Sequence, residues 1–323
     1  MRRTFGLGLL LIATPAASAS GPWIHAGPPA FPAMRAVAAQ GNVLYGLGQN
    51  GDVWRSQAGA GWVRRSTRPR TGTTVLAAAP GLLYVASTDP RMLSRSLDGG
   101  LTFTRCGREG LPGGSPYVIG TANRRVGVLR SRRLALSANG CRTWRRQRLS
   151  GDVRAVARTG TTWLAITERH NVARAQRIRL LASTDLGKTW HVRATRTAMK
   201  LSRTPALSPT SLVADVVTPN RLWLVHDRRL AKSDDGGTTW RDVTPVGLRV
   251  RSVVPNQTRP NVVEALGGTA GRPIVRTSSN AGASWTDTVA PAIGNPPTGN
   301  FLMAATSTRV ALVGATGIWT WTF

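Results

Sequence analysis

Six copies of one octapeptide constrain this chain more than any other feature. Ser183-Thr184-Asp185-Leu186-Gly187-Lys188-Thr189-Trp190 reads S-x-D-x-G-x-T-W, and Ser233 to Trp240 reads the same. Ser96 to Phe103 has Phe in place of the Trp. Ser137 to Trp144 has Asn139 for the Asp and Cys141 at the Gly position, and Ser278 to Trp285 has Asn280 and Ser284. Ser56 to Trp62 is a worn copy, one residue short. The closing aromatics stand at 62, 103, 144, 190, 240 and 285, in steps of 41, 41, 46, 50 and 45 residues. A repeat of this period is one supersecondary unit that buries its apolar face against its neighbours.

The residues around each copy read as strands. Short runs rich in Val, Leu, Thr and aromatics are bounded by Gly, Asn, Asp and Pro, four runs to a unit. In the fourth unit they cover residues 153–157, 162–167, 178–183 and 189–194. Four strands per unit is the pattern of a propeller blade. Helical periodicity is absent. The second strands carry markers expected in one register: Tyr45, Tyr84, Gly127, Trp163, Trp223, Val263 and Ala311. Seven second strands against six octapeptides imply ring closure. Residues 301–306, 310–314 and 318–323 supply three strands of the last blade, and residues 22–26 supply its outer strand. The expected fold is therefore all-β: a seven-bladed β-propeller with four-stranded antiparallel blades, closed by an N-terminal strand joining the C-terminal blade. Such closure removes an exposed sheet edge.

The octapeptides resemble those of the Asp-box, or bacterial neuraminidase repeat, family of sialidase-like, sortilin-like and photosystem II assembly-factor-like propellers. The resemblance spans residues 20–323 and implies one propeller domain. It also implies that the octapeptide is a turn between third and fourth strands, facing away from the ligand site. A carboxylate or amide in such a turn accepts backbone N–H bonds. Asp98, Asn139, Asp185, Asp235 and Asn280 are thus expected to be structural, with Trp144, Trp190, Trp240 and Trp285 buried between blades. One architecture hosts many functions, so function must be read from the site. The sialidase pattern of an Arg-Ile-Pro segment and a Tyr-Glu nucleophile pair is not met: Arg272-Pro273-Ile274 is scrambled, and Tyr45, Tyr84 and Tyr117 all read as strand residues.

Residues 1–19 read as a secretory signal peptide. Arg2 and Arg3 precede an apolar run from Phe5 to Thr14 and a small-x-small site at Ala17-Ser18-Ala19. The protein is expected outside the cytoplasm, in the cell envelope or secreted, as a monomer, and no stretch after the leader is long and apolar enough for a transmembrane helix. Cys106 and Cys141 are expected to form one disulfide closing about 35 residues, at a gain of ~3 kcal/mol; two buried thiols are the alternative. No metal spacing and no cofactor motif is present. The formal net charge is +29, and 40 of the 43 basic residues are arginine. That implies either attraction to an anionic partner or a genome-wide arginine bias.

Spacing locates the candidate site. The distance from second-strand marker to closing aromatic is 17 residues in blades one, three and five but 27 in blade four. The surplus is expected as a loop around residues 168–177, with a second long loop near 195–209 and a smaller one near 267–273. All three fall on the face opposite the octapeptides. Long loops on a rigid scaffold concentrate binding groups. Arg169, His170, Arg174, Arg177, Lys200, Arg203, Arg228 and Arg229 form the expected ligand-binding set, suited to bidentate recognition of anions. Glu168 and Asp227 are the candidate catalytic pair, placed in loops of adjacent blades, since glycoside hydrolysis needs two carboxylates. The same acids read equally as solvated loop residues, and His170 and His226 as surface loop residues. The favoured function is a non-catalytic binding or assembly propeller whose partner is an anionic polymer, an acidic glycan or another exported protein, with nucleic acid disfavoured. The alternative is a carbohydrate-active glycoside hydrolase.

Overall fold

The computed structural model describes residues 24–25, 34–57, 61–66, 72–79, 81–87, 93–112, 116–120, 125–130, 132–170, 176–195, 199, 210–269, 272–288, 302–306, 308–314 and 317–322. The expected leader, residues 1–19, lies outside them. The chain forms seven four-stranded antiparallel sheets, and the described residues contain no helix. Blade four is typical: Asp152–Thr159, Thr162–His170, Gln176–Ser183 and His191–Thr195 pair in chain order from axis to rim. First strands of most successive blades pack side by side around the axis. The last blade closes the ring as expected. Ile24–His25 pairs with Gly317–Thr322, Ile24 opposite Thr320 and His25 opposite Trp319. Arg309–Gly314 and Leu302–Ala305 complete that sheet.

Successive side chains of a strand point to opposite faces, and here each face meets another blade. A second strand therefore has no polar side. Leu222, Trp223, Leu224 and Val225 are all buried: Leu222 and Leu224 pack toward blade four with Ile178, Leu180 and Trp240, while Trp223 and Val225 pack toward blade six with Val243, Val253 and Val263. The stability thus resides in seams between blades, where full burial of each large apolar side chain contributes roughly 1.5–3 kcal/mol.

The second-strand markers do not share one register. Ser56, Ser96, Ser137 and Ser233 pair with Leu44, Leu83, Val126 and Leu222, the residue before the marker. Ser183 and Ser278 pair with Trp163 and Val263, the markers themselves. A one-residue offset turns a side chain to the other face. Trp163 accordingly packs back on blade three with Leu134 and Leu136 and covers Gly127, where a Cβ would lie 2.9 Å from the indole.

The octapeptides form the turns between third and fourth strands. In blade five the Ser233 hydroxyl donates to Asp235 Oδ1 at 2.8 Å and accepts from Gly237 N at 2.8 Å. Asp235 Oδ1 accepts from Thr238 N at 2.9 Å and Thr239 N at 3.0 Å, and Oδ2 accepts from the Thr239 hydroxyl at 2.7 Å. Asn139 and Asn280 keep the oxygen contacts but donate Nδ2 to Thr143 Oγ1 and Ser284 Oγ, both at 2.8 Å. Cys106 and Cys141 form the disulfide, joining the rims of blades two and three. Trp144 Nε1 donates to Gly107 O and Trp285 Nε1 to Val243 O, each tying its blade to the preceding one over 3.0 Å.

Candidate functional site

The expected long loop of blade four is sheet at both ends, the parts that are described. Glu168, Arg169 and His170 continue the second strand and Gln176 and Arg177 begin the third, with Arg169 opposite Arg177 and His170 opposite Gln176. These residues are polar in sequence and lack the apolar rhythm of a strand. The surplus in blade six behaves the same way, with Thr269 paired to Arg272. In blade five the second and third strands, Leu222–His226 and Arg229–Ser233, are joined by Asp227 and Arg228 alone, at φ of 49° and 62°. This is a two-residue hairpin turn with both central residues left-handed, not a loop.

Glu168 is not a loop acid. It is buried, 5 % exposed, and its Oε2 is held by Arg154 Nε from the adjoining first strand. Gly151 packs on the same segment at φ of 105°; a Cβ there would lie 2.6 Å from Glu168 O.

His226 is not a surface residue either. The strand that buries Leu222 to Val225 carries its imidazole inward, and Nδ1 lies 3.0 Å from Thr210 Oγ1. Nε2 is buried with no hydrogen-bond partner among the described residues. Burial pulls the His226 pKa down, Asp227 and Glu168 pull it up, and Arg154 pulls it down. The net direction is down, so the imidazole is neutral at neutral pH. Both candidate acids therefore act on one buried histidine at the seam of blades four and five. The uninterrupted apolar run before His226 was the sequence signal for its burial.

Arg169 and Arg228 are exposed on this face. Arg229 is diverted to the rim, where it pairs with Asp242. The side chains of His170 and Arg177, and residues Arg174, Lys200 and Arg203, lie outside what the structure describes. Met199 is buried in the blade four–five core, so the expected loop near 195–209 dips into the seam at that point.

Most of the other described acids are occupied, Glu109 and Glu264 excepted. Asp98, Asp185 and Asp235 serve turns. Asp52, Asp152, Asp215, Asp234, Asp242 and Asp287 pair with Arg64, Arg132, Arg221, Lys232, Arg229 and Arg276. Among the described residues no three His, Cys, Asp or Glu are grouped to hold a metal.

No family model and no curated protein sequence matches the chain. Solved structures do. "YCF48 bound to D1 peptide" superposes with a TM-score of 0.62 at 16 % identity, over 94 % of this chain and 97 % of that one. YCF48 from Cyanidioschyzon merolae gives 0.59 at 16 %, over 94 % and 98 %. The GH74 enzyme of Niastella koreensis gives 0.65 at 16 %, over 92 % of this chain and 53 % of that one, so this chain spans about half of the enzyme's length. At this identity the likeness establishes the propeller fold alone.

Proposed function

We propose that this chain is an exported Asp-box propeller, its first 19 residues removed as a leader, that binds an acidic segment of a protein partner. Binding uses the face opposite the octapeptide turns, over blades four and five. The observation that carries this reading is the disposition of charge: most described acids are taken up by turns and ion pairs, and on that face Arg169 and Arg228 stand exposed while Glu168 is held by Arg154 and Asp227 is half-buried. Arginine forks suit carboxylates. A propeller of like fold and length has been solved with a peptide bound.

A hydrolase reading needs a carboxyl free to donate a proton and a second carboxylate beside it. Glu168 is engaged by Arg154, which leaves Asp227 as the ligand-face acid without an ion pair among the described residues.

The test is binding of the protein to immobilised peptide arrays in which extended acidic segments alternate with neutral analogues. Arg169→Ala with Arg228→Ala is run beside it, and reducing-end release from neutral and acidic glycans is monitored. Binding to acidic peptides that weakens roughly tenfold or more in the double variant supports the proposal. Unchanged binding, or glycan cleavage abolished by Glu168→Gln with Asp227→Asn, overturns it.

A further inference from the structure

The turn that leads from blade five into blade six presents an apolar residue to solvent on the face opposite the octapeptides. Leu248 N donates to Pro245 O at 3.1 Å, and Gly247 takes the third position of this turn at φ of 74°. Val246 is left at the tip and is 90 % exposed, the highest value for a large hydrophobic among the described residues. The turn is nonetheless pinned. Pro245 and Leu248 are buried, and Arg276, on the third strand of blade six, donates Nη1 to Val246 O. Arg276 is itself fixed by Asp287.

Ile274, 40 % exposed, stands beside this turn. Val275 packs toward blade seven with Met303 and Val310, so Ile274 and Arg276, its neighbours on the strand, face blade five. Ile274 pairs with Gly267, where a Cβ would lie 2.7 Å from Leu248 Cδ1 and 2.5 Å from Arg249 O. Only glycine at that position permits the approach. Leu248 therefore closes the turn that carries Val246 and also packs on the strand pair that carries Ile274. The two aliphatic side chains form one small apolar step above the seam of blades five and six.

Cations adjoin this step. Val250 N donates to Arg228 O at 2.8 Å, which sets the turn of Asp227 and Arg228 against residues Arg249 and Val250. Arg229 and Arg276 are engaged by Asp242 and Asp287, whereas Arg228 and Arg249 are exposed and form no ion pair among the described residues. Leu97 and Leu101 are exposed too, but on the octapeptide turn of blade two, at the opposite face. The path from Ile274 through Gly267, Arg249 and Val250 to Arg228 is about 15 Å at most, counted in strand spacings and single-residue steps.

We propose that Val246 and Ile274 are the apolar anchor of the acidic-segment site, so that the segment selected carries an aliphatic side chain roughly three or four residues from its carboxylates. This rests on the acidic-segment binding proposed for blades four and five and extends that face over blade six. Charge alone attracts many polyanions, steers their encounter and fixes no register between apolar side chains. The step adds what charge lacks, because apolar area leaves water when an aliphatic side chain covers it. The turn is ordered before any partner arrives, so little freedom is lost on binding.

The test uses the full chain and short synthetic peptides with two adjacent glutamates and a leucine about three residues before or after them. Analogues replace the leucine by serine, or the glutamates by glutamines. The variants are Val246→Ser, Val246→Ser with Ile274→Thr, and Arg169→Ala with Arg228→Ala. The control is Val216→Ser, at an exposed valine between the first and second strands of blade five, on the octapeptide face. Thermal melts confirm that each variant is folded. The leucine peptide is expected to bind the parent roughly fivefold or more tightly than its serine analogue, a preference that shrinks in Val246→Ser, disappears in the paired variant and persists in the control. Equal affinity of the leucine and serine peptides for the parent overturns the anchor while the acidic-segment site stands, as does a leucine preference that survives in Val246→Ser with Ile274→Thr. Binding indifferent both to glutamine replacement and to Arg169→Ala with Arg228→Ala overturns the acidic-segment site itself and with it the selection proposed here.

Discussion

Arg309 Nη1 donates to Ser56 Oγ over 3.1 Å across the seam where the ring closes, between residues 253 apart in sequence. In the complete octapeptides that serine oxygen accepts the glycine amide, as Ser96 does from Gly100 and Ser233 from Gly237, both at 2.8 Å. Blade one has only the worn copy, and blade seven supplies the donor. Arg309 is buried, and burial pulls its pKa down. Its Nε and Nη2 find no hydrogen-bond partner among the described residues.

Two substitutions separate packing from hydrogen bonding at this seam. Arg309→Ala removes both and is expected to cost about 2–4 kcal/mol in denaturant unfolding. Arg309→Met keeps the volume and removes an incompletely satisfied buried charge, so it is expected to cost less than half as much. Equal losses in the two variants would mean that the Ser56 bond, not the packing, holds the seam.

The disulfide makes a second prediction. Cys141 sits at φ of 69°, in the turn position that Gly100, Gly187, Gly237 and Gly282 occupy at 78–96°. Loss of the bridge, with 35 residues between its ends, is expected to cost roughly 3–4 kcal/mol on the chain-entropy account. Cys106→Ser with Cys141→Gly should recover about 1 kcal/mol relative to Cys106→Ser with Cys141→Ser, since only glycine adopts this backbone freely. Thermal melts of the two pairs compare them directly. A glycine variant no more stable than the serine variant would show that the turn imposes no strain on Cys141.

The blade count was legible because each octapeptide is a self-contained turn. Ser183, Asp185, Gly187 and Thr189 bond one another within seven residues, so local sequence records them whatever the rest of the chain does. The strand count also carried the closure, down to the outer strand at Ile24–His25. What failed were inferences about direction and depth. Trp163 and Trp223 look equivalent in sequence but face opposite seams, because register depends on partners distant in the chain. Glu168 reads as a loop acid because residues 168–177 show no strand alternation in sequence. His226 reads as exposed because it adjoins the Asp227-Arg228 turn, although the apolar run Leu222 to Val225 that leads into it carries the signal of burial.

Acid stability should report the octapeptides. At Asp235 burial favours the neutral form, but the Thr239 hydroxyl and amide and the Ser233 hydroxyl outweigh it and hold the carboxyl at about 2. At Asp98 the Thr102 hydroxyl and amide, and at Asp185 those of Thr189, hold the carboxyl far below the usual range. A depressed folded pKa contributes stability that is present above the unfolded value and lost as pH falls through the folded one. The protein is therefore expected to lose stability from about pH 4 downward. Combining Asp98→Asn, Asp185→Asn and Asp235→Asn, the residue already used at Asn139 and Asn280, should flatten that decline. Parallel declines in parent and variant, followed by fluorescence between pH 5 and 2, would assign the acid sensitivity to the ion pairs instead.

At the other end of the scale stands Glu264. Its side chain is fully buried in blade six, and neither carboxyl oxygen has a hydrogen-bond partner among the described residues. Burial pushes its pKa up to about 8, against small opposing effects of its own backbone amide and of Arg259. A folded pKa raised above the unfolded 4.5 means that stability is fully present below 4.5 and is lost as pH rises through about 8. The parent should therefore lose on the order of a few kcal/mol between pH 5 and 9, while Glu264→Gln, which stays neutral, should not. The variant is expected to be the more stable protein at pH 9 and to differ little at pH 5. Denaturant midpoints at five pH values between these limits decide the matter. Parallel curves for parent and variant would mean that Glu264 ionises in the fold at its ordinary value and that solvent reaches it.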